Sequence, residues 1–378
     1  MYKIMTPGPT MVPENVRMAR SLECTNPDLD TEFVEFYKET CELISELLYT
    51  ENETLILSGE GILGLEAACA SLTEQGDKVL VLDNGIYGKG FADFVTMYGG
   101  EADILSFDYE NEIDVLKLED YLKSSHDYKY ATVVHCDTPS GMLNDIGSIC
   151  RMLKKYGILT VVDSVSAMFG EVVKVDEFQI DLLCGGSQKA VSAPPGLTFV
   201  VVSEDAKQAM RDRKTRIASF YANLTTFEGY YENKWFPYTM PISDIYGLRA
   251  AFENIKAEKD VYERHARIAS ATRETIKKAG LKLHQNSGFS NTVTVFDIPE
   301  GVTAEQILSA MKEDYKIMLA GSFDAFAGKV IRIGHMGYNA QAENMVEVFH
   351  GLDGVFHKLG VSLNASLEET FKLLIINS

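Results

Sequence analysis

The sequence is short of positive charge, of paired cysteines and of long apolar runs. Lysine and arginine total 35 against 55 aspartates and glutamates, a formal net charge of −20 and a pI near 4.8. Nucleic acid and anionic bilayers both need positive patches, so neither is expected as a partner. A small anionic ligand stays open, because a local site can be positive on an acidic protein. The six cysteines, Cys24, Cys41, Cys69, Cys136, Cys150 and Cys184, include no C-x-x-C pair. Several lie inside apolar runs, which reads as free thiols in a reducing compartment. The seven histidines have no metal-ligand spacing, and no metal is assigned. The first residues lack the basic segment and apolar core of a signal peptide, and no apolar run is long enough to span a bilayer. A cytoplasmic location is expected.

What is present is an ordinary globular composition, 46% hydrophobic and 24% charged over 378 residues. That length predicts two or three domains. Residues 6–13 hold three prolines, which favours an extended arm. Helical spacing of Phe33, Phe36, Cys41, Ile44, Leu47 and Leu48 predicts an amphipathic helix over 31–48. Beyond residue 54 short apolar runs (54–58, 78–83, 102–107, 131–137, 159–163, 181–184 and 197–202) alternate with helical stretches. The pattern predicts a mostly parallel sheet covered on both faces. Residues 211–241 read as irregular and aromatic, and include the only tryptophan, Trp235. A single long helix is predicted from about 243 to 280, followed by a smaller α+β unit. The expected division is an arm over 1–15, a large domain over 16–258 and a small domain over 259–378, with the boundary inside that continuous helix.

Three motifs at strand ends could carry chemistry. Gly59-Glu60-Gly61-Ile62-Leu63-Gly64 follows one strand and opens a helix, where backbone amides can cradle an anion. It matches G-x-G-x-x-G, and Asp83 ends the next strand at the spacing of a dinucleotide-binding fingerprint. A glycine turn serving close helix–strand packing is the plainer alternative. Asp163 ends a buried strand, as a helix N-cap or as a charge held for a ligand. Lys189 follows Gly185-Gly186-Ser187-Gln188 into an irregular loop, in the crevice where α/β sheets bind ligands. A lysine beside an anion cradle and a buried aspartate suits pyridoxal phosphate. A nicotinamide cofactor would use Gly59, Gly61, Gly64 and Asp83 but leave Asp163 and Lys189 without a role.

Several further motifs occur in one order along the chain: Thr6-Pro7-Gly8-Pro9-Thr10, Asn84-Gly85-Ile86-Tyr87-Gly88, His135-Cys136-Asp137-Thr138, Ser187-Gln188-Lys189 and Arg332-Ile333-Gly334. With them the chain resembles the class V, fold-type I pyridoxal-phosphate aminotransferases, nearest to the alanine–glyoxylate and serine–pyruvate group. The resemblance implies a large, mostly parallel, seven-stranded αβα domain with a small C-terminal α+β domain. It implies transfer of an amino group from a small amino acid to a small 2-oxo acid in ping-pong half-reactions. Lys189 would be the Schiff-base lysine and proton carrier, with Asp163 on the pyridinium nitrogen, Thr138 on the ring oxygen and Tyr87 over the ring. Gly61 and Ile62 amides and the Gln188 side chain would hold the phosphate. Thr239 would reach the phosphate of a neighbour in a homodimer. Arg332 would bind the substrate carboxylate, and Gly8 of the arm would close over it.

The chain also departs from the family pattern. Glu60 and Ile62 stand where relatives carry small hydroxyl residues. A carboxylate facing a phosphate is repulsive, so the Glu60 side chain is expected to point away. Phe236 replaces a tyrosine before Thr239. The segment His135–Thr138 is also similar to 2-aminoethylphosphonate–pyruvate aminotransferases. The loop before Arg332 has no cysteine to accept a persulfide, which argues against a desulfurase. A regulatory protein that keeps the fold without turnover is disfavoured by the negative charge and the lack of a DNA-binding segment. His135, at the end of an apolar strand, is expected to be structural.

Overall fold

The chain is seen in a computed structural model that describes residues 2–376. Seven strands form the main sheet: β1 (Glu53–Ser58), β2 (Lys78–Asp83), β3 (Glu101–Ser106), β4 (Tyr130–Val134), β5 (Leu159–Asp163), β6 (Leu182–Gly186) and β7 (Leu197–Val202). Their order across the sheet is β1-β7-β6-β5-β4-β2-β3, with β7 antiparallel to both neighbours and the other pairings parallel. Every residue of β4, β6 and β7 is buried. Such strands are largely apolar because helices cover both faces. The covering helices include α1 (Thr31–Leu47), α2 (Gly61–Leu72) and α3 (Ile86–Met97).

The seven predicted strands and the parallel sheet are all present, with ends shifted by a few residues. One shift has a consequence. The run predicted as a strand over 131–137 stops at Val134. Cys136–Asp137 instead pairs antiparallel with Met142–Leu143, which turns Thr138 out at the tip of a hairpin.

The single helix expected from 243 to 280 is two: α4 (Ile242–Ala257) and α5 (Val261–Lys278). Glu258 is extended, with φ −86° and ψ 116°, and breaks the run. A tertiary contact holds the break. The Arg264 guanidinium donates to the Glu258 carboxylate and to the Gly337 carbonyl at 3.1 Å. No proline or glycine marks this point, so periodicity ran through it.

The apolar core is in two clusters. One packs on the main sheet; the other gathers Phe296, Met311, Ile331, Phe349, Leu352 and Phe371. The second cluster surrounds an antiparallel pair, β8 (Val293–Asp297) and β9 (Val330–Gly334), backed by α6 (Ala342–Lys358). The N-terminal arm is sewn into it. Lys3–Ile4 pairs parallel with Ile317–Met318, and Met5 is fully buried in the second cluster. The Met5 carbonyl accepts from the Gly334 amide at 2.8 Å.

Gly334 is the tight point of that seam. A Cβ there would collide with the Thr6 carbonyl and lie 2.5 Å from Pro7 Cα. Gly334→Ala is therefore expected to lift the arm off β9, with a stability loss of about 1–3 kcal/mol. Limited proteolysis should then cut the arm in the variant under conditions where the wild type resists. An arm protected equally in both would contradict this account.

Candidate active site

Five strand ends meet at one edge of the sheet. The turn after β1 brings Glu60 and Gly61, the turn after β2 Tyr87, and the hairpin after β4 Thr138. Asp163 closes β5, and Lys189 stands three residues past the end of β6. Because these strands run parallel, their C-terminal ends open on the same crevice. β7 returns antiparallel, so the loop between β6 and β7 must reverse at that edge. Its reversal is pinned by Ser187, whose amide donates to the Leu197 carbonyl at 3.0 Å and whose hydroxyl donates to the Pro194 carbonyl at 2.6 Å. Lys189 projects from this closed loop.

The crevice has two adjoining lobes, of about 330 and 420 Å³, both lined by Gly8, Pro9, Tyr87, Thr138 and Lys189. The inner lobe adds Asp163, Ser166, Gln188, Glu60 and the start of α2. The outer adds Arg332, Phe323 and the arm. Lys189 Nζ donates to the Pro7 carbonyl at 2.6 Å. Gly8 allows this approach: its φ is +92°, and a Cβ there would lie 2.7 Å from Lys189 Nζ. Burial, and then the Arg332 guanidinium, lower the Lys189 amine to about 8. Burial raises the Asp163 carboxyl to about 7, against the Val165 amide, which donates to its Oδ1 at 2.9 Å. That bond to the second residue on closes a local turn, with no helix beginning there, and among the described residues it is the side chain's one hydrogen bond.

Arg332 lies in β9, and its chain reaches from the second core into the outer lobe. Its Nε donates to the Gly321 carbonyl at 2.5 Å and one terminal nitrogen to the Thr138 carbonyl at 3.2 Å. The other terminal nitrogen has no acceptor among the described residues and is free for a ligand anion. Tyr87 meets the edge of Phe323 with ring centroids 6.3 Å apart. The Thr138 hydroxyl shares a hydrogen bond with Ser166 at 2.5 Å.

The structure thus brings together Gly8, Gly61, Ile62, Tyr87, Thr138, Asp163, Gln188, Lys189 and Arg332. Thr239 lines neither lobe of this chain. It is exposed, with its hydroxyl 3.4 Å from Asp28. Phe236 is buried against Tyr230 and Tyr37, in an aromatic cluster that offers a hydroxyl no role. His135 is buried against Ser164 at 2.9 Å and held neutral, its ring lowered to about 3 by burial, as the structural reading expected. Ser166 and Phe323 were missed. Ser166 ends the motif around Asp163 and Phe323 lies in the loop before Arg332, but neither was given a role, because the sequence does not show which of those side chains face the cavity.

Two expectations about the glycine loop change. Gly64 serves packing, since a Cβ would strike the Thr198 hydroxyl of β7. Asp83 accepts from Ser106 at 2.9 Å and Tyr109 at 2.5 Å and lines neither lobe, so the dinucleotide pattern is not assembled. Glu60 does not point away. It is the N-cap of α2, accepting from the Ile62 amide at 3.2 Å and from the Gln188 side-chain amide at 3.1 Å. A pyridoxal ring fits the inner lobe, with an acid, an amine, a hydroxyl pair and an aromatic ring around it. A 5′-phosphate does not fit as the side chains stand, because Glu60 already holds two of the three donors expected for it, the Ile62 amide and the Gln188 side chain.

The class-V aminotransferase family profile matches residues 8–346. A pyridoxamine–pyruvate transaminase of Mesorhizobium japonicum is 32% identical, over 89% of this chain and 87% of that protein. The alanine–glyoxylate aminotransferase of Callithrix jacchus is 30% identical, over 90% of this chain and 84% of its own. A crystal structure of the ureidoglycine–glyoxylate aminotransferase of Bacillus subtilis superposes with a TM-score of 0.96 at 29% identity, covering 100% of this chain and 98% of that one. The chain belongs to the class-V aminotransferases, a family whose cofactor is pyridoxal phosphate, and it has their fold-type I architecture.

An acid whose folded pKa is raised favours the protonated folded state. Stability from this source is present below the ordinary carboxyl value of 3.8 and is lost as pH rises through about 7. Asp163→Asn removes that loss. In urea unfolding of the protein free of small molecules, the stability of the variant relative to wild type should grow by about 2–4 kcal/mol from pH 4 to pH 8. A difference that stays flat across that window would count against the burial of Asp163.

Proposed function

We propose that this class-V aminotransferase moves an amino group from a small amino acid or related amine to a small 2-oxo acid, in two ping-pong half-reactions. The carrying observation is a buried amine, a buried carboxylate and a half-free guanidinium around one two-lobed cavity. The family's pyridoxal ring, when bound, supplies an electron sink. The residues do the rest. Asp163 would set a carboxylate against the ring nitrogen and favour its protonated form. Tyr87 would cover the ring, where an aromatic face meets a cationic one. Thr138 and Ser166 would present hydroxyls to the ring oxygen. Lys189 Nζ, with its amine at about 8, is neutral often enough near pH 7 to take up a proton and return it across the cavity. The Pro7 carbonyl aims it.

Arg332 receives the substrate carboxylate on its free nitrogen, while its bonds to Gly321 and Thr138 fix the plane of the fork. The outer lobe offers one guanidinium and no second cation beside Lys189, which matches a monocarboxylate of the alanine–pyruvate or glyoxylate kind. Aminoethylphosphonate, with a doubly charged head, is expected to be a poor donor. Six free cysteines suit a cytoplasmic protein. We also infer a homodimer, in which exposed Thr239 approaches the neighbour's site.

Two measurements test this reading. Spectroscopic half-reactions with alanine, serine and aminoethylphosphonate, against pyruvate and glyoxylate, should show turnover with the first two donors only; no amino transfer with any pair would end it. Arg332→Gln should raise KM for the 2-oxo acid by about 10–100-fold, the worth of a charged hydrogen bond, with a smaller change in kcat. For assembly, sedimentation should give a dimer, and a monomer with a fully occupied site would remove the Thr239 assignment.

A further inference from the structure

Glu60 is left unexplained by amino transfer alone. We propose that it makes the inner lobe select an unphosphorylated pyridoxal-type ring, which binds and leaves as a substrate. The proposal rests on reading the cavity as a site for such a ring.

Three observations carry it. First, Glu60 occupies the anion seat at the N-terminus of α2. Its carboxylate takes both the Ile62 amide and the Gln188 side-chain amide, so the seat is filled by the chain's own anion. Second, the inner lobe has no cation to spare. Its charged lining residues are Glu60, Asp163 and Lys189, and Lys189 is committed to the amine chemistry. A phosphate monoester would bring nearly two negative charges beside Glu60 with no guanidinium or second lysine to meet them. Ile62, at the same helix start, has no hydroxyl to offer. Third, Gln188 has no donor turned to a phosphate. Gln188 is 8% exposed, its Nε2 is turned to Glu60, and its Oε1 is buried with no hydrogen-bond partner. Glu60 fixes that orientation, because the flipped amide would set oxygen against carboxylate. A 5-hydroxymethyl group asks for no anion seat and can donate as well as accept, whereas a phosphate dianion brings only acceptors.

The remaining polar groups of the ring are placed by the residues already described, the nitrogen by Asp163 and the 3-oxygen by Thr138 and Ser166. The ring's amine form has no covalent tie to Lys189, and without a phosphate anchor it exchanges with solvent. Pyridoxamine then serves as amino donor. Its C4′ amine passes to C2 of a 2-oxo acid, the oxo oxygen leaves as water, and a second water supplies the C4′ oxygen, giving pyridoxal and an amino acid. C4′ is oxidised as C2 is reduced, with no other oxidant or reductant.

The test is capture and binding on the full-length protein. Borohydride reduction with pyridoxal or pyridoxal phosphate, followed by peptide mass spectrometry, reads which ring attaches to Lys189. Titration of absorbance gives the two dissociation constants. Wild type should capture pyridoxal at lower concentration than its phosphate. Glu60→Gln, which keeps the shape and loses the charge, should shift the affinity ratio toward the phosphate on the order of 10–100-fold, since Glu60 is at the exposed mouth of the lobe and partly screened. Glu60→Ser should shift it in the same direction, a second variant should the first fold poorly. A wild type that binds the phosphate as tightly as pyridoxal, or a ratio unmoved in both variants, would overturn the selection. Capture of neither ring on Lys189, in wild type or variants, would instead overturn the underlying reading of the site.

Discussion

Asp163 and Lys189 place a carboxyl and an amine in one enclosed cavity, at the ends of adjacent parallel strands. Water would keep the first far below neutrality and the second far above it. Enclosure brings them to about 7 and about 8. That convergence depends on the whole edge of the sheet. The β5–β6 register sets Asp163 opposite Cys184, and the pinned loop before β7 returns Lys189 to the same crevice. The arm then closes one wall, at a distance only a glycine allows. A looser cavity would hydrate both groups and restore their ordinary chemistry.

Much of this was legible from residues alone. Asp163 and Lys189 stand out because one ends an apolar strand and the other follows one closely, and parallel strands send their ends to a common crevice. Arg332 stood out as a charge inside an apolar run. The sheet was readable because fully buried strands cannot be mistaken for a half-solvated pattern. Other features were illegible for definite reasons. The break between α4 and α5 has no local proline or glycine to announce it; Arg264, at the start of α5, ties Glu258 to the Gly337 carbonyl of a distant segment. Ser166 and Phe323 reach the cavity only through folding. The glycine motif was ambiguous because close packing and anion binding ask for the same residues, and Thr198 settles its last glycine in favour of packing.

Glu60 is the instructive miss. Electrostatic reasoning sent it away from the anion seat, on the premise that a phosphate owned the seat. The carboxylate obeys the same field that would attract a phosphate. With the Ile62 amide beside it and the Gln188 amide within reach, it satisfies two donors at once. Repulsion between two anions says that both cannot occupy one seat. It leaves open which of them does.

The arm has a consequence for how the protein comes into being. Residues 3–5 are made early, yet their partners, Ile317–Met318 and Gly334, are made near the end of synthesis. The strands that hold Asp163 and Lys189 can pair long before that, leaving a half-built crevice open to solvent. Its last wall arrives only when the early segment is clasped by the late one. The last wall of the crevice is therefore built from two segments far apart in sequence, and it cannot close until both exist.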